Sequence, residues 1–268
     1  MRIPGIRRLG RPSLHDRYDE GQTASELIDR LSDDDLERLN ALLPWRAFTV
    51  DSRGRPFGGT AWRGKRDRPS ELPDRRILLF QERFDLSDKH VLEVGCFEGI
   101  HTIALCRLAE RVTAVDARVE NVAKTIVRCG LFDVRPRVAV CDVEAVEDDD
   151  LLHADLCHHV GVLYHLDDPA THLRRLGTWI SRGVMLDTHY ARDEDASGEY
   201  AVDGERFRYR PYREGGRRDV FSGIRPSSKW LRLDDIEALL RGGGFATVEI
   251  VEKRDERNGP RVLLFAER

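Results

Sequence analysis

Residues 90–102 read HVLEVGCFEGIHT, and the reading of the whole chain turns on them. An apolar run ends in Gly95, Gly99 follows four residues later, and an amphipathic stretch begins there. This is the pattern of a strand turning sharply into a helix, with glycine permitting the turn and a close helix start. Outward from this point the alternation repeats. Strands are predicted over His90–Gly95, Val112–Asp116, Arg137–Cys141, Leu156–Gly161 and Val184–Thr188, with helices over 99–109, 118–129 and 169–181 between most of them. Alternating strands and helices imply right-handed crossovers and a parallel sheet. A helix over 233–241 closes on Gly242, Gly243 and Gly244; Ala246–Glu252 and Arg261–Ala266 then flank Asn258-Gly259, a hairpin signal that ends the sheet with an antiparallel strand.

Upstream the text differs. Residues 23–43 repeat leucine at helical spacing and predict two helices or one bent one. From Pro44 to Pro73 glycine, proline and arginine dominate, and a loop or lid without a core of its own is expected. Asp74 reads as the N-cap of a short helix to Phe84. The expected organisation is therefore an N-terminal helical and basic extension over 1–73, then a domain over 74–268 carrying an insert at 190–227.

The chain has 268 residues, 40% of them hydrophobic and 34% charged, which excludes collagen-like and wholly disordered classes. No apolar run approaches the ~18 residues of a membrane span. The arginine-rich start is broken by Pro4, Gly5 and Gly10 and lacks an apolar h-region, so a cytoplasmic location without secretory signal is expected. Five cysteines without CxxC spacing fit a reducing compartment. The net charge of −4 hides a segregation: residues 1–14, 53–76 and 205–218 together carry +13, leaving −17 elsewhere. Basic segments on an acidic body point to an anionic partner.

The chemistry lies at the strand ends. A nicotinamide-type fingerprint needs glycine at 97 and 100, where Phe97 and Ile100 stand, so a dinucleotide is disfavoured. Glu93 suits an amino-acid ammonium group. Asp116 lies 23 residues beyond it, near the ~20-residue offset at which an acid takes ribose hydroxyls. Asp142 ends the third strand, placed to accept from an exocyclic adenine amine. Three acids at successive strand ends converge on one crevice. A metal is not expected: His158 and His159 face opposite ways on a strand, and Cys157 with His159 lacks a third ligand.

LEVGCFEG, Asp116, Cys141-Asp142 and the segment DLCHHVGVLYHLDDP at 155–169 resemble the class I S-adenosylmethionine-dependent methyltransferases over about residues 74–268. GVLYH, DDP and FSGIRPSSKWLRLDDIEALLRGGGF are similar to the branch containing the tRNA wobble-uridine 5-oxyacetate, carboxymethyl-transferring enzymes, among whose relatives are enzymes of small metabolites. The resemblance implies an α/β, Rossmann-like, doubly wound, mostly parallel seven-stranded sheet with S-adenosyl-L-methionine as cofactor. It implies that Glu93, Gly95 and Gly99 hold the methionine and ribose side, Asp116 the ribose and Asp142 the adenine, with Cys96, Phe97, Ala117, Val143 and Gly161 completing the cofactor set. Phe97 replaces the usual middle glycine. Lys65 does not match the spacing of the basic residue that grips a carboxylated cofactor, so the plain cofactor is expected.

His165, past the fourth strand, is the first candidate for base or substrate contact, with Tyr164 and Tyr190 behind it. The substrate side is expected from the N-terminal region and the insert: Trp62 among Arg63, Lys65 and Arg66 for an entrance, and Arg208, Tyr209 and Arg210 in a stretch that interleaves cations with aromatics. The expected reaction is methylation of an oxygen or nitrogen of a small metabolite, an anionic one fitting the basic segments. The alternatives are a tRNA-modifying methyl- or carboxymethyltransferase, an NAD(P)-dependent oxidoreductase, and a cofactor-binding subunit without activity.

Overall fold

The structure, a computed structural model, describes residues 25–59, 68–146 and 149–268. Its contacts divide the chain between Pro73 and Asp74. In the first unit, helix α1 (Glu26–Asp29) leads to α2 (Asp33–Leu42), whose N-cap Ser32 accepts from the Asp35 amide. Strands β1 (Phe48–Val50) and β2 (Pro56–Gly58) pair antiparallel. Residues 44–59 are thus more than the loop expected from composition. Trp45, Ala47, Phe48 and Phe57 are buried, and Trp45 meets Phe57 edge-on at 5.2 Å. Three residues per strand are too few for alternation to show through the surrounding glycine, proline and arginine. Gly58 is required by a close approach: a Cβ there would lie 2.2 Å from the Ala47 carbonyl oxygen.

In the second unit, α3 (Arg75–Phe84) is capped by Asp74, which accepts from the Arg76 amide. Strand β3 (His90–Val94) leads to α4 (Ile100–Leu108), β4 (Arg111–Asp116) to α5 (Val119–Leu131), and β5 (Arg137–Val140) follows. Then come β6 (Ala154–Val160), α6 (Pro169–Trp179) and β7 (Ile180–His189). After an insert, α7 (Leu233–Gly242) is followed by β11 (Thr247–Glu256) and β12 (Gly259–Glu267).

The seven-stranded sheet has the order β11-β12-β7-β6-β3-β4-β5. Strands β7, β6, β3, β4 and β5 run parallel, and β12 pairs antiparallel with both β7 and β11. Near-continuous apolar strands such as Val91–Val94 are what a sheet covered on both faces requires. The hairpin forms, but Glu256 pairs with Gly259, so its two-residue loop is Arg257-Asn258, one position earlier than the sequence signal. The main core joins Leu92, Val94 and Leu186 on the sheet to Leu173, Leu176 and Trp179 of α6 and Ile236 and Leu240 of α7.

The chain leaves β3 toward β4 on one side and returns through β6 on the other. A crevice opens at such a reversal, at the carboxyl ends of the strands. The insert folds as a separate antiparallel sheet of β8 (Gly198–Val202), β9 (Glu205–Arg213) and β10 (Ser227–Leu231), in the order β10-β9-β8.

Candidate active site

Gly95, Phe97 and Gly99 all adopt positive φ, at 79°, 50° and 80°. Phe97 keeps the left-handed backbone of the glycine it replaces, a conformation that disfavours a residue with a Cβ. The loop's glycines are required by protein packing as well as by any ligand. A Cβ on Gly95 would meet Val162 at 2.3 Å, and one on Gly99 would meet the α5 backbone at Thr125, 3.1 Å away.

Asp116 organises the turn. Its carboxylate accepts from the Phe97 amide (3.1 Å), the Arg118 amide (2.9 Å) and the Asn121 side chain (3.1 Å). Burial raises its pKa. Asn121 Oδ1 is buried without a hydrogen-bond partner among the described residues, an open acceptor on the residue that grips Asp116. A buried acceptor in this state favours a ligand donor such as a ribose hydroxyl. Asp142 accepts from Arg225 at 2.7 Å and from the Glu144 amide at 3.1 Å.

Glu93 is buried and accepts from Thr102 Oγ1 at 2.5 Å; burial pushes its carboxyl up to about 7. Glu93, His101 and His158 place ligand-type atoms within 4.8 Å of one another. Arg76 lies 3.3 Å from His101 Nε2 and already supplies positive charge beside the trio. His158 and His159 do face opposite ways: His158 lies near Phe80 and His101, while His159 Nε2 meets His172 Nε2 at 2.9 Å.

Past the end of β6, the rings of Tyr164 and His165 lie 4.2 Å apart, tilted by 46°. His165 Nδ1 lies 2.8 Å from Glu214 Oε1. Glu214 is buried and also accepts from Ser228 Oγ (2.7 Å), the Gly223 amide (2.8 Å) and Ser222 Oγ. Burial opposes its ionisation, but the His165 ring and the two serine hydroxyls hold its carboxyl down to about 2. Arg261 covers the Tyr164 ring and pairs with the buried Asp187, as does Arg254 at 2.8 Å.

The other expected residues are placed differently. Tyr190 packs against the main core, Val143 belongs to that core, and Cys96 is buried under Thr125. Ala117 is half-buried and Gly161 stands at φ 77°. Arg208 donates to the Asp193 and Ala196 carbonyls, Tyr209 meets Tyr200 edge-on, and Arg210 lies over Trp230 and donates to the Asn258 carbonyl. These three brace the inserted sheet. Trp62 and Lys65 lie outside the described residues. Sequence reading missed Glu214, Asn121 and Arg225, whose partners lie far away along the chain or have no motif of their own.

A profile described as a methyltransferase domain matches residues 65–250. The chain belongs to this methyltransferase family. Among curated proteins, a tRNA U34 carboxymethyltransferase from Idiomarina loihiensis is 28% identical over 188 residues, covering 67% of this chain and 55% of that enzyme. The chain thus spans about half the length of that relative. Among solved structures, the N-terminal domain of EvdMO1 in the presence of SAH and D-fucose aligns with a TM-score of 0.69 at 24% identity, covering 88% of this chain and 97% of that one. Full EvdMO1 gives 0.59 at 22%, with 91% of this chain and 49% of that one covered. Both likenesses concern the fold. Among the described residues no helix is long and apolar enough to cross a membrane.

Proposed function

We propose that the chain methylates an oxygen or nitrogen of a small acceptor, with His165 taking the acceptor's proton. The observation that carries this reading is the pair formed by His165 and the buried Glu214. A carboxylate at Nδ1 selects the Nδ1–H tautomer and leaves the lone pair on Nε2, the form a general base needs. Glu93, Gly95 and Gly99 line the methionine side in this reading, Asp116 and Asn121 receive ribose hydroxyls, and Asp142 faces the adenine. S-adenosyl-L-methionine, the cofactor of this reading, would supply an activated methyl group when bound, so the protein's share is alignment, exclusion of water and proton removal.

A small acceptor is favoured over a polynucleotide because one guanidinium nitrogen of Arg208 is bound to the Ala196 carbonyl of the insert and one of Arg210 to the Asn258 carbonyl of the β11–β12 hairpin. The tRNA reading rests on the Idiomarina relative. Labelled methyl cofactor incubated with fractionated extract separates the two: label in the small-molecule fraction, lost in His165→Ala, supports the proposal, while label in RNA supports the second reading. A melting temperature raised by NADH and not by S-adenosylhomocysteine would point to an oxidoreductase instead.

A further inference from the structure

We propose that Arg118 is a positioning residue that holds the candidate base His165 through the backbone of residues 214–223. The inference rests on the reading of His165 given above. Arg118 follows Asp116 by two residues and its amide donates to that carboxylate at 2.9 Å. Its side chain does something unrelated to the ribose acid. The guanidinium is buried, 3% of the residue being exposed, and gathers four carbonyls of one short segment: Nη1 donates to Arg217 (2.9 Å), and the two hydrogens of Nη2 are shared among Gly216 (2.8 Å), Asp219 (2.9 Å) and Ser222 (2.9 Å). The planar guanidinium presents donors on two nitrogens at a fixed angle, so that Arg217 is held by one and the other three carbonyls by the second; a single ammonium nitrogen on a flexible stem does not reproduce that geometry.

The segment so gathered ends at the base. Ser222, whose carbonyl Arg118 holds, turns its hydroxyl to Glu214 and also accepts from the Gly215 amide at 2.6 Å. The Gly223 amide donates to the same Glu214 oxygen at 2.8 Å, and the other oxygen meets His165 Nδ1. A Cβ on Gly223 would lie 2.6 Å from the His165 carbonyl oxygen, so the segment packs directly on the base's own backbone. Two further contacts tie it to the crevice: Phe221 lies 5.4 Å from the Phe97 ring, and Arg225 grips Asp142. Without Arg118 the four carbonyls lose their shared donor, Ser222 and Gly223 lose their fixed aim at Glu214, and His165 loses its orienting partner.

The test reads the base directly. In protein labelled with 15N-histidine, the ring shifts of His165 report which nitrogen carries the proton. In the wild type the proton is expected on Nδ1. Arg118→Gln and Arg118→Lys should both shift the ring toward the tautomer mixture of Glu214→Ala, and hydrogen exchange of the 215–223 amides should accelerate. S-adenosylhomocysteine affinity should fall less than in Asp116→Asn, because the Asp116 bond uses the Arg118 backbone. The double variant Arg118→Gln/Glu214→Ala should show the same ring shifts as Glu214→Ala alone, the non-additivity of residues acting in one chain. An unchanged His165 tautomer in folded Arg118→Gln overturns the proposal, as does full rescue by lysine. If Glu214→Ala itself leaves the tautomer as in the wild type, the underlying reading of His165 fails instead. Should the Arg118 variants fail to fold, Ser222→Ala tests the same relay and must move the same signals.

Discussion

Glu93→Gln is the perturbation whose size the structure best defines. Glu93 is 1% exposed, its carboxylate accepts a hydrogen bond from Thr102, and burial pushes its carboxyl from 4.5 up to about 7. A carboxyl with a raised pKa binds its proton more tightly in the folded state. Its favourable contribution is complete below about 4.5 and is lost as pH rises through 7. The interval corresponds to about 3 kcal/mol. Glutamine keeps the shape and the acceptor for Thr102 but cannot ionise. Urea unfolding of both proteins from pH 5 to 8 should therefore show the variant gaining on the wild type by about 2–3 kcal/mol, with most of the gain before pH 7. Taking the difference cancels the other titrating groups. On the proposed reading, an ammonium group beside Glu93 also expels its proton. S-adenosylhomocysteine titrated calorimetrically at pH 6 in two buffers of different ionisation enthalpy should release protons from the wild type and fewer from Glu93→Gln. Parallel stability curves for the two proteins would refute the reasoning.

The buried pair His159 and His172 sets an opposite trend. Burial holds His159 down to about 4 and His172 well below its ordinary value, so stability present above 6.5 should fall as pH drops toward 4; the double variant His159→Leu/His172→Phe should flatten the acid limb of a urea-midpoint profile. Asp116→Asn turns an amide toward three donors and should weaken S-adenosylhomocysteine binding by roughly 1–3 kcal/mol by calorimetry; unchanged affinity would remove Asp116 from the cofactor set. Gly223→Ala should cut methyl transfer with little change in cofactor affinity, since its Cβ would press on the His165 carbonyl oxygen; full turnover would show that the segment yields without moving the base.

Much of the architecture was legible because its signals are local. The Gly95 turn, the Asp74 and Ser32 caps and the strand-helix alternation involve neighbours within a few residues, and helix α6 begins at Pro169 as the sequence implies. Where a local signal was weak, the structure departs from it. The β1-β2 pair and the three-stranded insert lie in segments rich in arginine, glycine and proline, whose short strands gain order from their partners rather than from their own pattern. The Arg208 to Arg210 stretch reads alike as a ligand surface or a brace, and only the folded chain reveals the carbonyls that Arg208 and Arg210 meet.

By itself the sequence determined a parallel sheet with three acids at successive strand ends, because period, punctuation and spacing are properties of consecutive residues. Tertiary structure decided which groups those acids meet and which side chains stand beside the base. Glu214 lies 49 residues from His165, and Arg225 lies 83 from Asp142. Arg118 reaches carbonyls about a hundred positions away. Backbone carbonyls have no side-chain signature in a sequence, so a guanidinium that binds four of them becomes visible only when the chain has folded.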